Sequence, residues 1–271
     1  MAAFQIVGVL NITPDSYHDG GKYISVDRAL ARAEEMMKQG ADIIEIGGES
    51  TGPHSKDVPE EEEADRVLPV LRAIRKAHPE ARLAIDTYRS AIAKAALEEG
   101  VMMVNDVTAG RRDPQIFSML KDSQALLVLM YSKDPTPRTT IEPKQYDDVV
   151  EEVKAFLSER TKRAVKEGIA VGRIVLDPGL GHFVSSDPRY SFEILARLRE
   201  FSDLGSPIFV SPSRKSFLAG EENLKTADRL PGTIAASALA VLNGAQYIRT
   251  HDPLEVRRGC EIALRVREKS E

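Results

Sequence analysis

The chain has 271 residues, of which 37 are basic and 42 acidic, and 42% are apolar, so it is long enough to fold around a large core. Its net charge of −5, with no basic cluster, argues against nucleic acid as a partner and leaves small anionic ligands possible. The single cysteine, Cys260, excludes an internal disulfide framework, and the lack of a long apolar run or a secretory signal pattern predicts a cytoplasmic protein with no membrane partner.

Short apolar runs alternate with longer stretches of helical periodicity along the chain, in the order typical of βα units. The runs that predict strands cover 6–12, 42–47, 82–87, 102–107, 126–131, 173–177, 207–211 and 246–250. The stretches that predict helices cover 26–39, 60–77, 90–99, 114–121, 146–167, 190–201, 231–242 and 254–268. Eight such units predict an α/β protein with a single domain, residues 1–271, folded as a (β/α)8 TIM barrel with its active site at the C-terminal ends of the strands.

Two local features support this placement of the helices. The acidic run 60–63 follows Pro59, and carboxylates in the first turn of a helix interact favourably with the helix dipole. Glycines suited to helix C-caps precede five of the predicted strands, at Gly40, Gly100, Gly168, Gly205 and Gly244.

Polar side chains occur at the predicted C-terminal end of nearly every strand. Each of them alone is more often a satisfied structural group, but the whole set would be costly to desolvate at one rim without a ligand. The sequence therefore predicts a binding site at the mouth of the barrel. The residues are Asn11, Glu45, Glu49, Asp86, Asn105, Asp106, Tyr131, Asp177, Ser213, Arg214, Lys215, Arg249 and His251.

The acceptors of this set suit a planar heterocycle. Asp86, Asn105 and Asp177 lie on separate predicted strands and can accept hydrogen bonds from amino and ring N–H groups. Asn105 and Asp106 could instead cap the following turn, and the Asp177-Pro178-Gly179 segment could be an ordinary turn at the end of a strand.

The basic members of the set suit a phosphate or diphosphate. Lys215, Arg249 and His251 would bring cationic donors to the last two units, and donors around a leaving diphosphate stabilise the charge that develops in the transition state. Asn11 offers a hard oxygen that could help to hold Mg²⁺. Lys215 could alternatively be a solvated surface lysine.

Seven ordered segments, spread over nearly the whole chain, resemble the dihydropteroate synthase family. They are LNITPDSYHDGG (10–21), ADIIEIGGEST (41–51), IDTYRS (85–90), VNDV (104–107), LDPGLG (176–181), SRKSF (213–217) and IRTHD (248–252). The resemblance implies an enzyme of folate biosynthesis that joins p-aminobenzoate to 6-hydroxymethyl-7,8-dihydropterin diphosphate, giving 7,8-dihydropteroate and diphosphate with Mg²⁺ as cofactor. It also implies a homodimer.

The resemblance carries roles to individual positions. It implies that Lys215, Arg249 and His251 form the catalytic set, and that Asn11, Arg249 and His251 hold the diphosphate and its metal. Asp86, Asn105, Asp177 and Lys215 would bind the pterin, with Met130 against it and Glu45 nearby. The first two loops would close over p-aminobenzoate, which involves Thr13, Pro14, Asp15, Tyr17, Thr51, Pro53 and Ser216.

The resemblance also implies a mechanism without a protein nucleophile. The C–O bond to diphosphate would ionise first, and the arylamine would then attack the pterin-stabilised cation. The residues agree with this, because no Ser-His-Asp pattern has a plausible spacing and Cys260 lies in a predicted helix, as a packing residue would.

The chain departs from the family pattern at four places. Glu45 stands where Asp is usual, and Gly52 stands where the second loop usually has Arg, for which His54 or Lys56 could substitute. The usual MHM is MYS at 130–132, and the usual GFGK is GHFV at 181–184, without the lysine. Similar changes in sulfonamide-insensitive members of the family suggest a drug-tolerant synthase.

Two alternatives of other classes remain open at this point. A methyltransferase that uses a methylated folate would keep the acceptors but has no use for the cations Lys215, Arg249 and His251. A non-catalytic pterin-binding barrel would be consistent with Gly52 and the missing lysine. His78 and His18 are expected to be surface residues, whereas His182 could either pack or contact a ligand.

Overall fold

The computed structural model describes residues 4–12, 26–53 and 55–269. Among these residues, eight strands run parallel in one sheet: β1 Gln5–Asn11, β2 Ile43–Gly47, β3 Leu83–Asp86, β4 Met103–Asp106, β5 Leu126–Met130, β6 Ile174–Asp177, β7 Phe209–Val210 and β8 Tyr247–Thr250. The strand order is β6-β5-β4-β3-β2-β1-β8-β7. A parallel bridge between Leu176 and Ile208 joins the two ends of the sheet, and the amide of Leu176 donates to the carbonyl of Pro207 at 2.9 Å. The predicted (β/α)8 barrel is confirmed.

One α-helix follows each strand in the described part of the chain. The helices are α1 Val26–Lys38, α2 Glu60–Ala77, α3 Ser90–Glu98, α4 Gln115–Leu120, α5 Val149–Lys166, α6 Pro188–Ala196, α7 Leu230–Leu242 and α8 Pro253–Arg267. None of them is long and apolar enough to cross a membrane, within the ranges that the structure describes. The five predicted C-cap glycines all have positive φ, between 73° at Gly205 and 104° at Gly168, a conformation that glycine adopts without steric cost.

Three predicted elements have bounds that differ from the structure by two residues or more, and local capping chemistry explains two of these differences. Helix α5 begins at Val149 rather than at 146, because the Asp148 side chain accepts hydrogen bonds from the amides of Val150 and Glu151. The predicted helix 190–201 is α6 followed by a separate 3-10 helix, Leu198–Leu204, and α6 begins earlier than predicted because Asp187 caps it.

The third is β7, whose ladder with β8 covers only Phe209–Val210 rather than 207–211, apart from the single bridge of Ile208 to Leu176. Prolines stand at both limits of the predicted range, at Pro207 and just after it at Pro212. A proline has no amide N–H to donate to a neighbouring strand, so the ladder is short here.

The interior of the barrel is layered. One apolar layer is formed by Val7, Ile43, Ala84, Met103, Val128, Val175, Phe209 and Tyr247, with one residue from each strand. Because alternate side chains of a strand point to the same face, the residues two positions later face the same interior, one level closer to the C-terminal ends. On six strands these are Glu45, Asp86, Asn105, Met130, Asp177 and Arg249. The apolar layer therefore closes the barrel below a mostly polar layer.

A separate and larger apolar cluster fills the space between the strands and the helices. Cys260 on α8 is fully buried in that cluster, and burial raises the pKa of its thiol to about 12. The expectation that Cys260 is a packing residue is confirmed, since a buried protonated thiol is a poor nucleophile.

Candidate active site

Arg249 connects two carboxylates across the mouth of the barrel. Its Nε donates to Glu45 at 2.5 Å and its Nη2 donates to Asp86 at 2.8 Å. The Glu45 side chain is fully buried and also accepts a hydrogen bond from Asn105 Nδ2 at 3.1 Å. Strands β8, β2, β3 and β4 thus contribute to one hydrogen-bonded network, and the structure brings these four predicted site residues together.

The charges of this network are strongly perturbed by burial. Desolvation raises the pKa of Asp86 to about 7, with the nearby Glu45 carboxylate acting in the same direction and the Arg249 guanidinium opposing it. The pKa of Arg249 is raised by the two carboxylates, which outweigh the effect of its own burial. Arg249 therefore stays charged, whereas burial favours the protonated form of Asp86.

Asp177 and Lys215 form a second pair of buried ionisable groups. Burial raises the pKa of Asp177 to about 6, although its Oδ1 accepts the Gly179 amide at 2.8 Å and Lys215 favours its charged form. Burial lowers the pKa of Lys215 to about 8. Lys215 Nζ donates to the Leu180 carbonyl at 3.2 Å and lies 4.9 Å from the centre of the Phe183 ring. Perturbed groups of opposite charge in a concave site are typical of ligand binding.

Asn105 supplies an acceptor that has no partner among the described residues. Its Oδ1 atom is buried and accepts no hydrogen bond there, whereas its Nδ2 is held by Glu45. An unpaired buried carbonyl oxygen is costly unless a ligand donates to it. The neighbouring Asp106 is different, because it accepts the amides of Thr108 at 2.7 Å and Gly110 at 2.6 Å, as the capping interpretation predicts.

Asn11 and Met130 lie at the same rim. Gly47 separates Asn11 from Asp86, since a Cβ atom at this glycine would lie 3.5 Å from both Asn11 Oδ1 and Asp86 Cβ. Met130 is 3% exposed and lies opposite Asp177 in the β5–β6 register. Met130 therefore lies beside Asp177, and Asn11 lies across Gly47 from Asp86.

His251 differs from expectation in its charge. Its Nδ1 lies 2.9 Å from the Ser213 hydroxyl, and its carbonyl accepts from Arg32 Nη2 at 2.9 Å. Burial, with Arg249 and Arg214 nearby, lowers the pKa of the imidazole to about 4. The uncharged imidazole is therefore favoured at neutral pH, mainly because the ring is buried and to a lesser degree because Arg249 and Arg214 lie nearby.

Three residues expected at the rim have their side chains engaged elsewhere. Tyr131 packs edge-on against Phe156 of α5, with ring centres 5.2 Å apart. Arg214 pairs with Asp252, with 3.0 Å between Nε and the carboxylate. Glu49 accepts from Arg89 at 2.6 Å. Adjacent residues of a strand face opposite sides, so not every polar residue near a strand end can enter the site.

A pocket of about 410 Å³ lies beside Lys215. It contains the predicted Pro53, Lys215 and Ser216, and the carbonyl of Thr51 beside it accepts the Thr139 amide at 3.1 Å. Sequence reasoning missed most of the wall contributed by the β5–α5 and β6–α6 connections, and it left His182 undecided. The lining residues are Gly52, Pro53, Thr139, Ile141, Leu180, His182, Phe183, Lys215, Ser216 and Arg229.

Some predicted positions lie outside the described residues: Thr13, Pro14, Asp15, Tyr17, His18 and His54. Of the suggested substitutes for the missing loop arginine, Lys56 is described, and its carbonyl accepts from Arg138 at 2.7 Å. His78 lies at the surface as expected, with its Nε2 2.8 Å from Glu34.

Comparison with known proteins adds independent information. A family model described as "Pterin binding enzyme" matches residues 7–251. The chain is 40% identical to a dihydropteroate synthase of Staphylococcus haemolyticus, covering 93% of this chain and 91% of that protein. It is also 40% identical to a probable bifunctional folylpolyglutamate synthase/dihydropteroate synthase of Haloferax volcanii, where it covers 97% of this chain and spans 30% of the length of that protein.

Solved structures agree with these relatives. A dihydropteroate synthase of Xanthomonas albilineans with 4-aminobenzoic acid has a TM-score of 0.89 and 34% identity, covering 97% of this chain and 93% of that chain. The same enzyme in complex with 7,8-dihydropteroate has a TM-score of 0.85 and 32% identity, covering 97% and 94%.

The chain therefore belongs to the pterin-binding enzyme family. Its activity is that of a dihydropteroate synthase of folate biosynthesis, which confirms the family resemblance of the sequence over the methyltransferase and non-catalytic alternatives.

We expect Asp177→Asn to stabilise the protein at high pH, because the amide avoids burying a carboxylate and its oxygen can still accept from Gly179. The pKa of Asp177 is raised from 3.8 to about 6 on folding, so this carboxyl favours folding below about pH 4 and loses that contribution as the pH rises through 6. Urea unfolding should show a gain of up to about 3 kcal/mol at pH 8 that vanishes near pH 4.

Asp148→Asn is a control of opposite sign. Asp148 caps α5 and pairs with Arg197, which holds the pKa of its carboxyl below the ordinary value. This variant should lose stability at neutral pH, and the loss should shrink as the pH falls below about 4. A loss of stability in Asp177→Asn at pH 8 would contradict the proposed desolvation of Asp177.

Proposed function

We propose that the chain condenses p-aminobenzoate with 6-hydroxymethyl-7,8-dihydropterin diphosphate, giving 7,8-dihydropteroate and diphosphate. The observation that carries this proposal is that buried acceptors and a charged guanidinium share one rim: Asn105 Oδ1 and Asp177 lie beside Arg249, which is tied to Asp86. The acceptors match the amino and ring N–H groups of a pterin, and the guanidinium matches its diphosphate. A site for the heterocycle alone would not need the guanidinium, and a site for diphosphate alone would not need the buried acceptors.

The pterin would enter the acceptor layer with its ring above the closed apolar layer. Asp177 and Asn105 Oδ1 would accept from the amino and ring N–H groups of the heterocycle, and Met130 would contact its face. Lys215 Nζ has donors beyond the one given to Leu180 and would hold the pterin carbonyl. This arrangement orients the CH₂–O bond towards Arg249 and His251.

Bond cleavage would then be assisted electrostatically. The bonding electron pair of the C–O bond leaves with the diphosphate, and Arg249 stabilises the negative charge that develops on it. The described contacts of Arg249 engage Nε and Nη2, so Nη1 would face the leaving group. The arylamine nitrogen attacks the resulting CH₂ cation, and its proton passes to solvent or to diphosphate. No step requires a protein nucleophile.

The residues at the rim fit Mg²⁺ bound mainly through the substrate. No cluster of three or more His, Cys, Asp or Glu residues suited to a metal occurs in the described ranges. Mg²⁺ commonly uses one or two protein oxygens together with phosphate oxygens and water. Asn11 Oδ1 would be such a ligand, because the absent side chain of Gly47 leaves space beside it. When bound, the ion would neutralise part of the charge of the diphosphate.

We expect Arg249→Met to lower kcat about 10²–10³-fold, since it removes the charge that meets the leaving group. The assay follows dihydropteroate and released diphosphate from purified protein. Arg249→Lys should recover part of the loss, because an ammonium keeps a charge near Glu45 and Asp86 but cannot bind both in the same geometry.

Arg72→Met is the matched control for Arg249→Met. Arg72 lies on α2, its side chain is 61% exposed, and it pairs only with Glu99 among the described residues. Its activity should equal that of the unchanged enzyme. A kcat of Arg249→Met within threefold of that value would overturn the assigned role of Arg249.

We also propose tolerance to sulfonamides. Two of the departures from the family pattern, Gly52 and the 181–184 segment with His182 and Phe183, meet at the pocket beside Ser216 where the arylamine would bind. Changes in the wall of a pocket alter discrimination between a substrate and its analogue.

Inhibition by a sulfonamide should therefore need at least tenfold more drug, relative to the KM for p-aminobenzoate, than in the Staphylococcus haemolyticus relative assayed in parallel. Equal ratios in the two enzymes would refute the proposed tolerance. The Gly52→Arg variant of this chain has the usual residue of the second loop. Its ratio of inhibitory sulfonamide concentration to the KM for p-aminobenzoate should move towards that of the relative.

We propose that the protein acts as a homodimer in the cytoplasm. Large apolar side chains are exposed on adjacent helices: Leu239 of α7 is 54% exposed, and Ile262 and Val266 of α8 are 64% and 62% exposed. Exposed apolar groups clustered on one face are typical of an interface between subunits. The buried free thiol of Cys260 is consistent with a reducing compartment.

Leu239→Glu should shift the protein from dimer to monomer in sedimentation velocity, because two copies of the introduced charge would be desolvated at a symmetric interface. Val171→Glu is the matched control, since Val171 is 56% exposed and lies between α5 and β6, away from α7 and α8. It should leave the sedimentation coefficient unchanged. A monomer in the unchanged protein would refute the proposal.

A further inference from the structure

We infer that Arg138 is a positioning residue for the arylamine pocket, which it shapes by fixing the loop between β2 and α2 against the connection between β5 and α5. The inference rests on the proposed function of this pocket. Arg138 is absent from the pocket lining, whereas its neighbour Thr139 belongs to it. It would therefore act through other residues and not by touching substrate.

The guanidinium of Arg138 binds the β2–α2 loop at three points. It forms ion pairs with the carboxylates of Glu49 and Asp57, and its Nη2 donates to the Lys56 carbonyl at 2.7 Å. Asp57 is 90% exposed, so its pairing contributes little, but the Glu49 side chain is only 4% exposed. The buried ion pair with Glu49 therefore provides most of the stabilisation that Arg138 gives to this loop.

Charge balance around Glu49 explains why Arg138 is needed there. Arg89 donates to Glu49 at 2.6 Å and also pairs with Glu63, whose side chain is 1% exposed. One guanidinium cannot neutralise two buried carboxylates, and an uncompensated buried charge is strongly destabilising. Arg138 supplies the second positive charge. The four groups form a neutral network that includes one residue from the β5–α5 connection.

The network is continuous with the pocket wall through Thr139. The Thr139 amide donates to the Thr51 carbonyl at 3.1 Å, and its hydroxyl donates to the His182 carbonyl at 2.7 Å. Gly52, Thr139 and His182 all line the pocket. Three connections therefore meet at Thr139, and the position of the first of them depends on the Arg138–Glu49 pair.

The pterin side of the site has its own support. Asp177 and Asn105 lie on strands, and Arg249 binds Glu45 and Asp86 without any contact to Arg138. Loss of Arg138 should therefore weaken the binding of p-aminobenzoate and leave the binding of the pterin diphosphate unchanged. A general loss of folding would not give this difference.

The test is a steady-state comparison of both substrates in Arg138→Ala. We expect the KM for p-aminobenzoate to rise at least tenfold, with less than a twofold change in the KM for the pterin diphosphate. Arg138→Lys should show a smaller rise, because it keeps the charge beside Glu49 but loses the additional donors. Glu49→Gln should reproduce the split between the two substrates, and the effects of the double variant should be less than additive.

Arg189→Ala is the control. Arg189 also contacts the β5–α5 connection, donating to Gln145 at 2.6 Å, but its described contacts do not include the β2–α2 loop. Both KM values should be unchanged in this variant. Equal changes in both KM values in Arg138→Ala, or no change in that for p-aminobenzoate, would overturn the positioning role.

Hydrogen exchange measures the same effect without turnover. Amides of residues 48–52 and 139–141 should exchange faster in Arg138→Ala, whereas those of β6 and β8 keep their protection. Unchanged exchange in residues 48–52 would overturn the inference whatever the activity. If the unchanged protein makes no dihydropteroate but exchange responds as expected, the proposed function fails and the role of Arg138 in fixing the loop stands.

Discussion

The pairing of Arg249 with two carboxylates is the constraint on which the rest of the site depends. The apolar layer below Arg249 closes the barrel, so solvent reaches this hydrogen-bonded network only from the C-terminal side. The Glu45 side chain is not exposed at all. Two carboxylates in such a position need a cation within hydrogen-bond distance. Arg249 provides it from β8, and in doing so it fixes Asp86 directly and Asn105 through Glu45.

The substitution at Glu45 becomes intelligible in this light. The family pattern has the shorter Asp at this position. The additional methylene of Glu displaces the carboxylate by roughly the length of one C–C bond, which is more than an ångström. Here Glu45 uses its length to meet Arg249 with one oxygen and Asn105 with the other. The unpaired Asn105 oxygen is thereby turned away from Glu45 and left for a ligand. The hydrogen-bonded network of Arg249 and Asn105 therefore accommodates the longer Glu45 side chain without disruption.

The sequence predicts the strands and their polar ends because both depend on local patterns. Alternation along a strand decides which residues face the interior, so the pattern alone places Asp86, Asn105 and Asp177 at one rim. The charge of His251 could not be predicted, because it depends first on the burial of the imidazole and also on Arg214, which is distant in sequence, as well as on the nearby Arg249. The wall formed by Thr139 and Ile141 also could not be predicted, since a connection without regular periodicity gives no signal of where it folds.

The two halves of the site differ in what holds them. The acceptors proposed for the pterin lie on strands of the closed sheet, where each backbone is fixed by its neighbours. The pocket beside Lys215 is built by connections, which depend on side-chain ion pairs such as Glu49 with Arg138. A substitution in a connection alters one wall of the pocket, whereas a substitution on a strand disturbs the hydrogen-bonded network that contains Arg249. This difference explains why two of the four departures from the family pattern, Gly52 and the 181–184 segment, lie in the half built by connections.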